Sequence, residues 1–199
     1  MSVQFVLASS SASRRTMLEA AGVPFTIAVP SIDEDVIKSL LTDGGSDGYR
    51  IADELAQAKA VSVSVRMREA FVLGADQVLV CEGRMLNKVL TEAEARETLS
   101  ALAGREHQLI SAAVIARGGA VLWRRTEIAT LRMRNLSTEF LDRYLAAEMP
   151  DVLGSVGCYR IEGRGVQLFT EVLGDQFCIR GLPLLPVLAA LRDLGVLSA

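Results

Sequence analysis

The chain is 199 residues long, 50% hydrophobic and 23% charged, with a formal net charge of −3. Such a composition supports a sizeable core and excludes disorder. The slight acidity excludes a general pull toward nucleic acid or an anionic membrane, so any anion must be held by local groups of Arg and Lys.

Residues 3–8, VQFVLA, read as a first strand, short and apolar enough to lie inside a sheet. The serines Ser9, Ser10, Ser11 and Ser13 follow, and a helix over about 14–21 stops at Gly22. That turn gathers hydroxyls and free backbone N–H groups where a helix begins, an arrangement that binds phosphate. Arg14 and Arg15 add charge-assisted donors. The same serines also suit plain helix capping, and no Gly-x-x-x-x-Gly-Lys P-loop is present.

FTIAVPSI, residues 25–32, is a second strand broken by Pro30. The acidic run Asp33-Glu34-Asp35 after it is either a solvated turn or part of a Mg²⁺ site. Residues 40–50, LLTDGGSDGYR, read as a mobile polar loop. Residues 49–66 are helical, with Ile51, Leu55 and Ala58 at apolar spacing and Lys59 near the middle.

AFVLGADQVLVCEG, residues 70–83, is a strongly apolar strand interrupted by Asp76-Gln77. An unpaired carboxylate in a core is costly, so Asp76 is paired, metal-bound or facing a cleft. It either caps a bulge near Gly74 or acts as a general base or metal ligand in a pocket. Lys88 is an ordinary loop lysine or a phosphate contact. Residues 90–104 form a helix with a Thr91/Glu94 capping box and a terminating Gly104. A hairpin over 107–134 turns at Gly118-Gly119, and its Trp123 reads as core or interface. A helix over 137–148 is capped by Ser137, a strand covers 165–174, and a closing helix over 182–195 carries Pro183 and Pro186 near its start.

Strands and helices intermix throughout, which makes the class α/β with a mixed sheet. The three cysteines, Cys81, Cys158 and Cys178, are odd in number and fit no metal-knuckle spacing. They read as free buried thiols of a reducing compartment. No signal peptide and no apolar run near the roughly 20 residues that span a bilayer are seen, so the expected location is the cytoplasm. One histidine, His107, allows no multi-His metal site within a chain, and its place at a strand start speaks against a catalytic triad. Catalysis must rest on carboxylates, lysines, arginines and hydroxyls.

Taken together, these pieces resemble the Maf family of nucleoside triphosphate pyrophosphatases over nearly the whole chain. The family's Ser-x-Ser-Pro-Arg-Arg motif is matched by Ser9, Ser11, Arg14 and Arg15 in LASSSASRR, with Ala12 in place of proline. Its Glu after the second strand matches Glu34, and its helical Lys matches Lys59 in LAQAKA. Its Gly-Ala/Ser-Asp motif is GADQ, with Asp76 as the carboxylate, and its Lys-Pro motif is Lys88-Val89. GCYRIEGRG and GLPLLPVL match the late segments. One branch, acting on dTTP and UTP, carries Ala-Asp-Thr and Ile-Gln-Gly. The other, favouring 7-methyl-GTP, carries Ser-Asp-Gln and Ser-Glu-Gly. Gln77 and Glu162 match the second, whereas Ser13 is neither the arginine of the first nor the tryptophan of the second.

The resemblance implies one domain over 1–199: a mixed twisted sheet with flanking helices and two lobes around a central nucleotide-binding cleft. It implies hydrolysis of the α–β phosphoanhydride of modified nucleotides, with 7-methyl-GTP preferred, as a house-cleaning activity. A carboxylate at 162 suits the positive charge that N7-methylation gives guanine. Ser9, Ser11, Arg14 and Arg15 would bind substrate, and Lys59 and Lys88 would neutralise phosphate charge. Asp76 would orient or deprotonate water. Glu34 and Asp76 would hold Mg²⁺ or Mn²⁺, while Ser13, Gln77 and Glu162 would set base preference. A homodimer is implied in the same way. Nucleic acid is excluded as a partner by the net charge and the lack of a basic, aromatic-rich face. Preference for dTTP/UTP, or nucleotide binding that regulates cell division arrest with little turnover, are the alternative readings.

Overall fold

The computed structural model describes residues 4–198. A seven-stranded mixed sheet forms its centre, in the order β2-β1-β3-β5-β6-β7 with β4 paired to β3 alone. The parallel part is β2 (Thr26–Ile27), β1 (Phe5–Ala8) and β3 (Phe71–Cys81). The antiparallel part runs from β3 through β5 (Glu106–Arg117) and β6 (Ala120–Met133) to β7 (Phe169–Leu173), and β4 (Arg84–Leu86) hairpins onto the end of β3. The expected hairpin at Gly118-Gly119 is the β5–β6 pair, and Trp123 packs against the core.

Helices α1 (Ala12–Ala20), α3 (Gly48–Ser64), α4 (Glu92–Leu102), α5 (Thr138–Glu148) and α7 (Leu184–Asp193) bury their apolar stripes against this sheet. Ser11, Asp47, Thr91 and Ser137 each cap a helix by accepting from a backbone N–H, and Thr91/Glu94 form the complete capping box. Among the described residues no helix is long and apolar enough to cross a membrane.

Three stretches differ from the sequence expectation. The second strand shrinks to two residues, because Pro30 lacks the N–H that would continue the ladder. The acidic run is not a solvated turn but the start of α2 (Glu34–Asp43): Asp33 caps Val36, and Glu34 and Asp35 complement the helix N-terminus. The expected loop over 40–50 is therefore mostly helix, leaving residues 44–47 between α2 and α3. The 165–174 strand begins late, after a 3₁₀ turn over Arg164–Leu168, and a short α6 (Gln176–Ile179) precedes α7.

The feature that positions the site is a gap in the sheet. β1 pairs with β3 only as far as Ala8 opposite Gly74, and β4 ends at Leu86 opposite Leu79. Between these points, Ala75–Val78 is paired with β5 on one side and open on the other. Odd and even residues of a strand face opposite sides, so Asp76 and Gln77 look out on different faces at this gap. On one face Gln77 interrupts the apolar run between Ala75 and Leu79, which belong to separate cores. On the other, Asp76 lies between Gly74 and Val78, beneath α3.

Candidate active site

A cleft of about 1030 Å³ opens at this gap. β1 ends beside it and the chain turns into α1, so Ser9, Ser10, Ser11, Ser13 and Arg14 all line it. Ser9 Oγ accepts from Ser11 N–H and from Arg14 Nη1, both at 3.2 Å, while Arg14 Nε donates to Gly181 O at 2.8 Å. Arg14 is buried, and desolvation lowers its pKa despite the opposing charges of Asp76 and Glu34. Arg15 does not share this position. One residue on, it has turned about 100° around the helix, is exposed, and meets Glu19 at 3.7 Å outside the cleft.

Lys59 comes from α3. Gly74 lets this helix approach the sheet: a Cβ there would sit 2.3 Å from Ala56 O and 2.5 Å from Ala60 N. The close approach puts the buried Lys59 Nζ 2.6 Å from Asp76 Oδ1 and 2.6 Å from Glu34 Oε2. The lysine joins the strand to the first residue of α2, and its charge compensates the burial of Asp76. Lys88 enters from the loop after β4. Desolvation, then repulsion by Arg14, pushes its ammonium below the ordinary lysine value, with Asp76 acting in the opposite sense.

Three cations and two carboxylates thus meet at one end of the cleft. Among the described residues no group of three or more His, Cys, Asp or Glu side chains gathers to hold a metal by itself. Glu34 and Asp76 are two carboxylates converging on one ammonium. A donor set of that size fits Mg²⁺, which binds through one or two carboxylates while substrate phosphates and water complete its shell.

The other polar groups of the cleft converge on α6 and the turn after it. Gln77 Nε2 lies 3.0 Å from each of Ser111 Oγ, Cys178 O and Ile179 O, which share its two N–H groups. Ser111 Oγ donates to Cys178 O at 2.8 Å and Ser13 Oγ to Arg180 O at 2.9 Å. Together with the Arg14–Gly181 bond, four successive carbonyls at a helix end are satisfied by side chains of α1, β3 and β5. Glu162, at the mouth, is exposed.

The structure therefore brings together Ser9, Ser11, Ser13, Arg14, Glu34, Lys59, Asp76, Gln77, Lys88 and Glu162, and leaves Arg15 outside. It adds Lys38, one turn beyond Glu34 on α2 and bonded to Asn87, as well as Arg160 and Arg180. Lys38 was findable from i,i+4 spacing once the acidic run is read as a helix start. Arg180 carried no signal. His107 stands apart, with Nε2 2.8 Å from the Tyr159 hydroxyl, and burial lowers its pKa to about 4. The three cysteines are free and buried; desolvation pushes the Cys158 and Cys178 thiols up to about 11.

The chain is similar to several known proteins. A nucleoside triphosphate pyrophosphatase of Granulibacter bethesdensis is 44% identical over 191 residues, covering 96% of this chain and 97% of its own. A 7-methyl-GTP pyrophosphatase of Mesorhizobium japonicum is 45% identical over 198 residues, the full length of both. A HAM1 protein of Coxiella burnetii is a partial likeness in fold, with 20% identity, 66% of this chain and 73% of its own covered, and a TM-score of 0.43. The family model described as Maf-like protein matches residues 4–194, and the chain belongs to the Maf family.

Proposed function

We propose that the protein is a nucleoside triphosphate pyrophosphatase, a hydrolase that cleaves the α–β phosphoanhydride with water to give a nucleoside monophosphate and pyrophosphate. The observation that carries this reading is the buried Lys59 ammonium between Asp76 and Glu34, with Arg14 and Lys88 in the same cleft. Phosphoryl transfer needs mainly positioning and charge stabilisation, which such a cluster supplies without histidine.

Ser9, Ser11 and the first turn of α1 hold phosphate oxygens, and Arg14 and Lys88 neutralise them from two different elements. Asp76 accepts the proton of the attacking water, and Lys59 holds its carboxylate in place. Glu34 and Asp76 are the residues that would hold Mg²⁺ or Mn²⁺. Such an ion, when bound, neutralises phosphate charge and polarises the centre under attack.

The base preferred in this reading is 7-methylguanine, because Glu162 offers a carboxylate to a cationic ring at the cleft mouth. Gln77 acts by shape, since its amide N–H groups are engaged on α6. Preference for dTTP and UTP is the second reading; it is favoured by the absence of a ring at Ser13 and by Arg180 beside Glu162. The enzyme acts in the cytoplasm on free nucleotides, as a homodimer, with neither nucleic acid nor membrane as partner.

The test is pyrophosphate release from a panel of triphosphates with Mg²⁺. Asp76→Asn is expected to lower kcat/KM by about 10²–10⁴-fold, the range for a lost general base. Equal release by variant and wild type removes Asp76 from the mechanism. Release of single phosphates marks a different reaction, and tight binding with no product marks a regulator.

A further inference from the structure

Arg180 lines the cleft, yet nothing in the phosphate-binding account uses it. Its Nε lies 3.6 Å from Glu162 Oε1, an ion pair too long for a hydrogen bond. That Nε is buried and has no hydrogen-bond partner. An N–H removed from water with nothing to donate to is costly, which favours a shift of the guanidinium toward an acceptor in the cleft. The backbone around it is fixed, since the carbonyls of Ile179, Arg180 and Gly181 accept from Gln77, Ser13 and Arg14 respectively.

We propose that Glu162 and Arg180 form a donor–acceptor couple that reads the lactam edge of the substrate base, the –NH–C(=O)– unit of guanine, hypoxanthine, uracil and thymine. Glu162 accepts from the ring N–H, and Arg180 donates to the adjacent carbonyl. This rests on the pyrophosphatase reading above and specifies the substrate class of the same cleft.

The couple belongs with the base, not the phosphates, for two reasons. A carboxylate repels a polyphosphate. Asp76 and Glu34 pair with Lys59, whereas Glu162 pairs with Arg180. The two sets of carboxylates thus have separate cationic partners.

Adenine and cytosine present the reverse pattern, a bare ring nitrogen beside an amino group. Against this couple the nitrogen lone pair faces a carboxylate and the amino group faces a guanidinium. Both contacts fail at once, and sites built on such bonds discriminate strongly against analogues that cannot make them. 7-Methylguanine keeps the lactam edge and remains acceptable. The nearby guanidinium, however, offsets part of the attraction between Glu162 and a cationic ring.

The experiment compares kcat/KM within a ring size: GTP and ITP against ATP, and UTP against CTP. Wild type is expected to favour the lactam member of each set by at least tenfold. Arg180→Met and Glu162→Gln are each expected to shrink both ratios by at least fivefold. Arg180→Met is also expected to raise 7-methyl-GTP relative to GTP. Circular dichroism checks folding, and Arg180→Lys, which keeps charge but not the fork of donors, should give an intermediate ratio. Wild-type ratios near one, or ratios unchanged within twofold in both variants, overturn the proposal. So does an equal loss for every base, which marks a phosphate contact. If no triphosphate yields pyrophosphate, the enzymatic reading fails by itself. Calorimetric binding of GTP against ATP then decides base recognition, equal affinities overturning it.

Discussion

Two adjacent arginines show how far a single residue's role depends on its angle around a helix. Arg14 is buried and tied to Ser9 and Gly181, whereas Arg15 is exposed and meets only Glu19. Charged hydrogen bonds contribute about 1.5–3 kcal/mol each, and exposed ion pairs roughly 0–1. Arg14→Met is therefore expected to lower unfolding free energy by about 2 kcal/mol and to raise KM for triphosphate, while Arg15→Met changes stability by less than about 0.5 kcal/mol. Denaturant titration and steady-state kinetics check both. Lys88 gives a pH test. Its pKa is lowered chiefly by desolvation, so in the free enzyme it loses its charge at a lower pH than an ordinary lysine. The protonated form binds phosphate, so log kcat/KM should fall as pH rises through that lowered value. Lys88→Arg should remove this limb, because guanidinium does not deprotonate in that range. An unchanged limb assigns it to another group. The residue types of the cluster were legible from the sequence, since a carboxylate inside an apolar strand demands a partner. That Lys59 is the partner was not, because the contact spans 17 residues and depends on how α3 sits on the sheet.

At the level of elements, that seating is decided by Gly74. With a Cβ meeting backbone at 2.3 Å and 2.5 Å, a side chain at 74 must push α3 off β3. Gly74→Ala is expected to destabilise by about 1–3 kcal/mol, the range for overpacking, and to lower kcat by drawing Lys59 away from Asp76. Thermal denaturation and kcat measured on the same sample test this. A stable variant of unchanged kcat refutes the link between helix seating and the Lys59–Asp76 contact. Helices with both a cap and an apolar stripe, α3, α4 and α5, were readable directly. α2 was not, for it has no buried residue and carries exposed Val36 and Leu40. Its stripe is short, with Ile37 and Leu41 packing on the core one turn apart, and the Gly44-Gly45 run behind it reads as loop; the Asp33 cap and the acidic first turn also announced it. The consequence was functional as well as structural, because α2 brings Glu34 and Lys38 to the cleft on one face.

Across the whole molecule, the cleft exists because two strands stop short on the same flank of β3. Composition and hydrophobic pattern indicate an α/β protein with a mixed sheet, but where β1 leaves β3 depends on the register of two strands far apart in sequence, whereas the two-residue turn after β3 places β4. The gap also leaves Arg14, Lys59 and Lys88 on three separate elements, α1, α3 and the loop after β4, around one volume. A bound polyphosphate would tie those elements together, so substrate binding should be visible as stability. A ligand at 100 times its Kd adds about 2.7 kcal/mol, which for a chain of 199 residues corresponds to a Tm rise of roughly 5–10 °C. A non-hydrolysable α,β-imido triphosphate with Mg²⁺ at that excess is expected to produce this rise in calorimetry. The same base as a nucleoside, at the same concentration, should produce far less. Arg14→Met should reduce the triphosphate shift, because it removes the α1 side of the bridge. A full shift in that variant would mean that the phosphates are held without α1, and that the serine turn after β1 is a helix cap and nothing more.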